Sequence, residues 1–139
     1  MGKHAVGSSK ADIVESGAAN DVFELGEGSD TVIFDLLDRK DAVGGNGLDI
    51  WTDFKVAKGG DQIDVSALLD QYNSTLNIAN FISVTQQGSN SVISIDRDGK
   101  QFEADGSVKK DQFTDTQLLI LNDTNVSLDE LLKNSQIIF

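Results

Sequence analysis

Aspartate and glycine residues recur at a fixed spacing in the first third of the chain. Asp21 and Asp30 are nine residues apart, and each lies four residues after a glycine, Gly17 and Gly26 respectively. A glycine can adopt positive φ and turn backbone carbonyls inward, and a short carboxylate at the end of such a turn can hold a hard cation close to the backbone. The spacing therefore predicts an oxygen-rich cation site in each turn.

The most complete unit of this pattern spans residues 44–52. It has the form Gly-Gly-x-Gly-x-Asp-x-U-x, in which U is a large apolar residue; Asp49 supplies the carboxylate and Trp51 is the U residue. At this chain's own glycine and aspartate frequencies, three glycines and one aspartate at fixed positions arise by chance in about one such chain in a hundred. The two neighbouring units argue further against coincidence. Trp51, at an apolar position of a repeat, is better interpreted as a core residue than as a sugar-stacking platform.

Calcium is the cation that such turns fit best, because it takes about six to eight oxygen ligands from carboxylates and carbonyls. The predicted metal-binding residues are Asp21, Gly26, Gly28, Asp30, Gly44, Gly45, Asn46, Gly47, Asp49, Asp61 and Asp64. Either Asp61 or Asp64 could instead cap the helix predicted to follow. Aspartates outside glycine turns, such as Asp115, are better interpreted as solvated surface residues.

The elements that must position these residues follow from the same repeat. The residues after each aspartate form a short strand whose U residue faces the core, and two units complete one coil of a flattened solenoid, a parallel β-roll of about 18 residues per coil. In that geometry we expect the turn at Asp30 to stack on the turn at Asp49. The turn at Asp21 would then stack on residues near Arg39.

These units resemble the calcium-binding nonapeptide repeats of RTX (repeats-in-toxin) proteins. The stretches 51–54, Trp-Thr-Asp-Phe, and 59–69, Gly-Gly-Asp-Gln-Ile-Asp-Val-Ser-Ala-Leu-Leu, resemble the segment that closes the solenoid in that family. The residues from there to Phe139 resemble the type I secretion C-terminal target domain of large RTX adhesins. The resemblance implies a protein that is secreted or held at the bacterial cell surface, binds calcium ions and carries an uncleaved export signal read by the ABC exporter of a type I secretion system. The chain departs from the family pattern in that its first two units have lost glycines and the gap before the third is irregular.

Composition restricts the function further. The chain has 11 basic and 23 acidic residues, a formal net charge of -12, and no cysteine. Nucleic acids and anionic membranes need positive surface, so neither is an expected partner, and no apolar run is long enough for a transmembrane helix. The single histidine, His4, lies in the N-terminal segment, so we expect no histidine- or cysteine-based catalytic centre and predict a monomeric, non-enzymatic protein. An alternative function is a calcium-dependent adhesive or carbohydrate-binding module, or a structural cap of a repeat protein.

The predicted fold is mostly all-β, a short calcium-binding parallel β-roll fused to a small β-sandwich-like C-terminal part with one or two short helices. The β-roll is expected to span residues 16–65, and the C-terminal target region, packed on the roll, residues 66–139. Residues 1–15 are expected to be a tag or a disordered segment. Ser127, followed three residues later by Glu130, predicts the start of a short helix, and a second helix is predicted for residues 66–72.

Overall fold

The structure is a computed structural model that describes residues 4–99, 104–107 and 113–139. Its strands are β1 (His4–Val6), β2 (Ile13–Ser16), β3 (Val22–Glu24), β4 (Thr31–Phe34), β5 (Asp49–Trp51), β6 (Gln62–Asp64), β7 (Ile82–Gln87), β8 (Asn90–Ile95), β9 (Thr116–Leu121) and β10 (Ile137–Ile138). One α-helix, α1 (Leu128–Lys133), and one 3-10 helix (Ile78–Asn80) complete the regular elements of the described residues. The mostly-β prediction is confirmed.

From β1 to β6 the chain alternates between two sheets, and neighbouring strands within each sheet are parallel. One sheet has the order β1-β3-β5-β9-β8-β7 and the other the order β10-β6-β4-β2. His4 lies opposite Val22 and Ile13 lies opposite Thr31, so the first coil takes 18 residues, as the nine-residue repeat predicts. The parallel β-roll is therefore confirmed.

The core lies between the two sheets because every second strand residue points inward. Phe23 and Trp51 from one sheet and Val32, Phe34 and Ile63 from the other are fully buried in one cluster. Burying an apolar side chain of this size stabilises the fold by roughly 1.5–3 kcal/mol. The apolar residues that follow the repeat aspartates thus hold the two sheets together, and Trp51 is a core residue as predicted.

The N-terminal segment corrects the prediction that residues 1–15 form a tag or a disordered tail. Residues 1–3 lie outside the described residues, but β1 and β2 both belong to this segment and pair with β3 and β4. The reason is a further repeat unit: the turn 7–12 ends at Asp12, nine residues before Asp21. This unit forms the first coil of the roll.

The stacking order of the turns also differs from the expectation. Val22 pairs with Ile50, an offset of 28 residues, so the second coil on this side contains ten residues more than the first. The long turn 35–48 accommodates the extra residues, because the strands must still alternate between the sheets. As a result Asp21 lies beside Asp49 and Asp30 lies beside Asp61, and the predicted Asp30–Asp49 and Asp21–Arg39 stacks were wrong.

The C-terminal strands continue both sheets of the roll. Strands β7, β8 and β9 are antiparallel to one another and extend the six-stranded sheet from β5. Strand β10 extends the four-stranded sheet from β6. A turn around Gly88 joins β7 and β8 into a hairpin. The predicted helix start at Ser127 is present, because its side chain caps α1 by accepting a hydrogen bond from the Glu130 N–H at 3.1 Å. The C-terminal part is thus built onto the same two-layer core as the roll.

The helix predicted for residues 66–72 was wrong, because these residues form turns. A helix would pair the Tyr72 N–H with the Leu68 carbonyl. That carbonyl instead accepts a hydrogen bond from Nε of the buried Arg97, and the Tyr72 N–H donates to Leu69. The Arg97 guanidinium also donates to the carbonyls of Arg39 and Asp41, so this side chain fixes the long turn 35–48 against the C-terminal part.

Candidate metal centre

The turns of the roll lie along two opposite edges. The first edge carries the turns 7–12, 25–30 and 52–61, which lead from the six-stranded to the four-stranded sheet. The second edge carries the turns 17–21 and 35–48, which lead back. The last aspartate of each turn, or the aspartate that follows it, faces the corresponding residue of the next coil. Asp12, Asp30 and Asp61 form a column on the first edge, and Asp21 and Asp49 form a pair on the second.

Three of these carboxylates hold the coil before them. The Asp12 N–H donates to Asp30 Oδ1 at 2.8 Å, and the Asp30 N–H donates to Asp61 Oδ1 at 2.9 Å. On the second edge the Asp21 N–H donates to Asp49 Oδ1 at 2.8 Å. Four of the five aspartates are buried, with Asp12 half-buried. The repeat therefore places one carboxylate per turn close to the carboxylate of the next coil.

At Gly28 a glycine is required for steric reasons. Gly28 has a φ of 90°, and a Cβ at this position would lie 2.7 Å from the carbonyl carbon of Lys10 in the coil below. Gly47, in the equivalent position of the turn before Asp49, has a φ of 74°. Ala19 has the same backbone conformation without being glycine, with a φ of 72°. The predicted glycines thus lie in the turns that carry the aspartates.

The electrostatics of the first edge favour a cation. Asp30 has no solvent exposure, and within the described part of the chain its Oδ2 atom has no hydrogen-bond partner. Burial raises the pKa of Asp30 to about 6; the N–H of Asp12 works against this rise, and the carboxylates of Asp61 and Asp12 add to it. Burial also raises the pKa of Asp61 above its ordinary value. A bound cation would offset the charge that makes both carboxylates costly to bury.

An open cleft of about 600 Å³ lies beside the same turns. Gly26, Glu27, Gly28, Asp53 and Lys55 line it. Asp53 belongs to the turn 52–61 and bonds to the turn 25–30, so the cleft lies where two turns of the first edge meet. Solvent and ions can therefore reach this part of the roll.

The turn on the second edge is held by its own hydrogen bonds. The side-chain amide of the buried Asn46 donates to the carbonyls of Asp35 and Val43, at 2.8 and 2.9 Å. Its Oδ1 atom is buried and unpartnered within the described residues. Gly44, Gly45 and Gly47 surround it in the turn. Ser16 donates a 2.6 Å hydrogen bond to Asp49 Oδ2, so this carboxylate already has a close donor.

Asp64 is the one predicted metal-binding residue that the structure places apart from both stacks. It ends β6, and its Oδ1 atom accepts hydrogen bonds from the N–H and the hydroxyl of Ser66. These bonds close a local turn at Asp64. The alternative of capping a following helix was wrong, because residues 66–72 form turns. Asp61, by contrast, lies in the column of the first edge.

Sequence reasoning gave no role to three residues that shape these turns. Asp12 could have been found, since it precedes Asp21 by one repeat length. Asp53 accepts hydrogen bonds from the N–H groups of Leu25 and Gly26. The buried Gln136 donates from Nε2 to the carbonyls of Lys55 and Asp61, both at 2.8 Å. No spacing signal identifies Asp53 or Gln136, because their partners lie far away in the sequence.

The oxygen atoms of these turns are better suited to calcium than to magnesium. Among residues 4–99, 104–107 and 113–139, no group of three or more histidine, aspartate or glutamate side chains converges to hold a metal. A cation here would therefore bind to the free Asp30 oxygen together with turn carbonyls and water. Calcium accepts mixed carboxylate, carbonyl and water ligands in flexible geometry, whereas magnesium demands a near-ideal octahedron.

Comparison with known proteins supports the fold. No family model matches the chain, and no curated protein matches it. Among solved structures, the chain is similar to the AlgE6R3 subunit of the mannuronan C5-epimerase from Azotobacter vinelandii, with a TM-score of 0.51 and 20% identity over 99% of this chain and 78% of that one. At this identity the likeness concerns the fold alone.

The same comparison corrects the prediction of a non-enzymatic protein. The similar structure is a subunit of an enzyme, a C5-epimerase, so a chain of this fold occurs within an enzyme. The lack of a histidine- or cysteine-based centre in the sequence was therefore not a sufficient basis for that prediction.

In the described residues no helix is long and apolar enough to cross a membrane. What the structure and the comparison establish together is a parallel β-roll with stacked aspartate turns.

Proposed function

We propose that this chain is a calcium-binding β-roll module, in which calcium binds at the aspartate turns and stabilises the folded roll. The observation that carries the proposal is the buried Asp30 carboxylate, which has one oxygen without a hydrogen-bond partner among the described residues and lies in a column with Asp12 and Asp61. A buried anion in this arrangement is costly unless a cation accompanies it.

Calcium binding supplies stability that the acidic chain otherwise lacks. The formal net charge is -12, and like charges brought together by folding repel each other. At an assumed Kd of about 0.1 mM and about 2 mM Ca²⁺, one site stabilises the folded state by roughly 1.8 kcal/mol. A few such sites would contribute an amount comparable to the whole stability of a small domain.

The proposal extends to export. The resemblance of the chain's second half to RTX target domains supports a secreted or cell-surface protein, part of an adhesin, whose C-terminal residues are read by a type I exporter. Such an exporter passes an unfolded chain from a low-calcium cytosol to a calcium-rich exterior. A module that folds stably only with calcium would remain unfolded inside the cell and fold after leaving it, because each ion stabilises the folded form alone.

Thermal unfolding tests the calcium proposal directly. We expect the melting temperature to rise by several degrees or more in millimolar CaCl2 relative to excess chelator, since about 1 kcal/mol shifts the midpoint of a domain of this size by roughly 3–5 °C. Circular dichroism follows the transition, and an equal concentration of MgCl2 is the control for screening of bulk charge. A melting temperature that is the same in calcium, magnesium and chelator would contradict the proposal.

A further inference from the structure

In the first two turns, the second oxygen of the aspartate accepts a hydrogen bond from its own turn. The Ser8 N–H donates to Asp12 Oδ2 at 2.7 Å, and the Gly17 N–H donates to Asp21 Oδ2 at 3.1 Å. In both turns the donor lies four residues before the aspartate. By the same rule, Asp30 Oδ2 should accept a hydrogen bond from the Gly26 N–H.

Asp53 takes that donor away. The Gly26 N–H donates to Asp53 Oδ2 at 2.8 Å. Asp53 Oδ1 is also fixed, since it accepts hydrogen bonds from the Leu25 N–H at 3.0 Å and from the Trp51 indole at 3.1 Å. Three donors therefore hold this carboxylate across the turn, and Asp30 Oδ2 loses the donor that the repeat would give it.

The other two aspartates find substitutes for the missing donor. Asp49 Oδ2 accepts a hydrogen bond from the Ser16 hydroxyl, and Asp61 Oδ2 accepts one from the Lys55 N–H at 2.8 Å. Ser16 lies five residues before Asp21, which is the neighbour of Asp49 in the preceding coil. The neighbour of Asp30 in the preceding coil is Asp12, and the residue five before it is Gly7, which has no hydroxyl. No hydroxyl equivalent to that of Ser16 is therefore available to Asp30.

We propose that Asp53 is a positioning residue that keeps Asp30 Oδ2 available for calcium, and that the turn at Asp30 therefore binds calcium before the glycine-rich turn at Asp49. This inference rests on the proposed calcium function and assigns the order in which its sites fill. The open cleft lined by Gly26, Glu27 and Gly28 gives the ion access to this turn. The repeat that best matches the sequence pattern is thus not the one with the free ligand.

Calcium titration of the full chain tests the assignment. Isothermal titration with CaCl2 is made on the unchanged protein and on Asp30→Asn, Asp53→Ala, Asp49→Asn and the double variant of Asp30 and Asp53. Asp70→Asn, which removes an exposed carboxylate that belongs to none of the turns of the two edges, is the control for net charge. We expect Asp30→Asn to abolish the tightest binding step and Asp53→Ala to weaken it about tenfold or more, because the released Gly26 N–H then competes with calcium for Asp30 Oδ2.

Two readouts separate positioning from a purely structural effect. If Asp53 acts through Asp30, Asp53→Ala should have no further effect on calcium binding in the Asp30→Asn background, so the two changes are non-additive. In the calcium-free Asp53→Ala protein, the amide resonance of Gly26 should shift as its acceptor changes. Additive losses, or a Gly26 amide that does not respond, would overturn the role of Asp53.

The outcomes also separate this inference from the function on which it rests. If the unchanged protein binds calcium and Asp49→Asn weakens the tightest step more than Asp30→Asn does, the order of filling is wrong while the calcium function stands. If the unchanged protein binds no calcium, the proposed function and the inference both fail. Loss of binding in Asp70→Asn equal to that in Asp30→Asn would show that net charge alone controls the affinity, and it would also overturn the inference.

Discussion

A carboxylate that is fully buried and only half hydrogen-bonded costs stability in the calcium-free protein. Asp30 keeps one oxygen on the Asp12 N–H and has Asp61 as a neighbour of the same charge. The neighbouring Asp53 accepts three hydrogen bonds, one of them from the Gly26 N–H, so this donor does not reach Asp30. A cation that binds Asp30 would offset the cost of burying its ionised carboxylate. For the same reason, the stability of the protein should depend on whether Asp30 is protonated.

The calcium-free protein should lose stability as the pH rises from 4 to 7. The pKa of Asp30 is raised from 3.8 to about 6 in the folded state, so between these values the folded state holds a proton that the unfolded state has released. The stabilisation is complete below the unfolded pKa and is lost as the pH rises through about 6, and Asp61 shifts in the same direction. Urea unfolding in chelator, at pH values from 4 to 7.5, measures it.

The Asp30→Asn variant is the control for this pH dependence, because it keeps the shape of the side chain but cannot titrate. Its stability in chelator should fall less over the same pH range than that of the unchanged protein. An equal fall in both would mean that overall charge, and not this carboxylate, sets the dependence. In calcium the unchanged protein should show the opposite trend, since protons compete with the ion below pH 6.

Elements of the roll tolerate departures from the repeat at a measurable cost. In the second turn Ala19 adopts a φ of 72°, the conformation that Gly28 and Gly47 adopt in the equivalent positions. A non-glycine residue in the left-handed region costs roughly 1–2 kcal/mol. The second coil is ten residues longer than the first, and Arg97 fixes its long turn 35–48 by donating to the carbonyls of Arg39 and Asp41.

Restoring the glycine at position 19 should therefore stabilise the protein. We expect Ala19→Gly to raise the free energy of unfolding by about 1 kcal/mol, since relief of the strained backbone outweighs the greater freedom of the unfolded chain. Ala18→Gly, one residue earlier at ordinary φ, should lower it by about 0.5–1 kcal/mol. Urea denaturation of both variants in calcium gives the comparison, and destabilisation by Ala19→Gly would contradict the strain argument.

At the scale of the whole molecule, the C-terminal residues are part of the roll. Strand β10 pairs with β6, and Gln136 bonds to the carbonyls of Lys55 and Asp61, so the end of the chain holds the last turn of the first edge. Strand β9 lies between β5 and β8 in the first sheet. Folding of the calcium turns and docking of the proposed export signal are therefore coupled.

Export of a reporter fused to the chain tests the proposed signal. In cells that carry a matched type I exporter, removal of residues 134–139 should leave the reporter inside, whereas Gln136→Ala should still be exported. Gln136→Ala should fold less stably in external calcium, because the turn 52–61 loses two hydrogen bonds to its carbonyls. The fraction of reporter in the medium decides, and full export of the shortened chain would refute a signal in these residues. Removing only six residues keeps β9 in place.

The sequence by itself determined the local features of this protein. The nine-residue spacing of Asp21 and Asp30 and the complete unit ending at Trp51 predicted a parallel β-roll, and the Ser127 cap predicted α1. These predictions held because each depends on residues within one turn or strand: glycines that allow positive φ, an aspartate at the end of a turn, and an apolar residue that must be buried.

Only the tertiary structure decided which residues meet. The length of the turn 35–48 places Asp49 beside Asp21 and leaves Asp30 beside Asp61, and no repeat pattern encodes such an insertion. Asp53 and Gln136 reach turns that lie 27 and 75 residues away in the sequence, at Gly26 and Asp61. Whether a carboxylate oxygen is free depends on these distant donors. The repeat therefore predicts where carboxylates gather, but the packing of successive coils determines which of them can bind an ion.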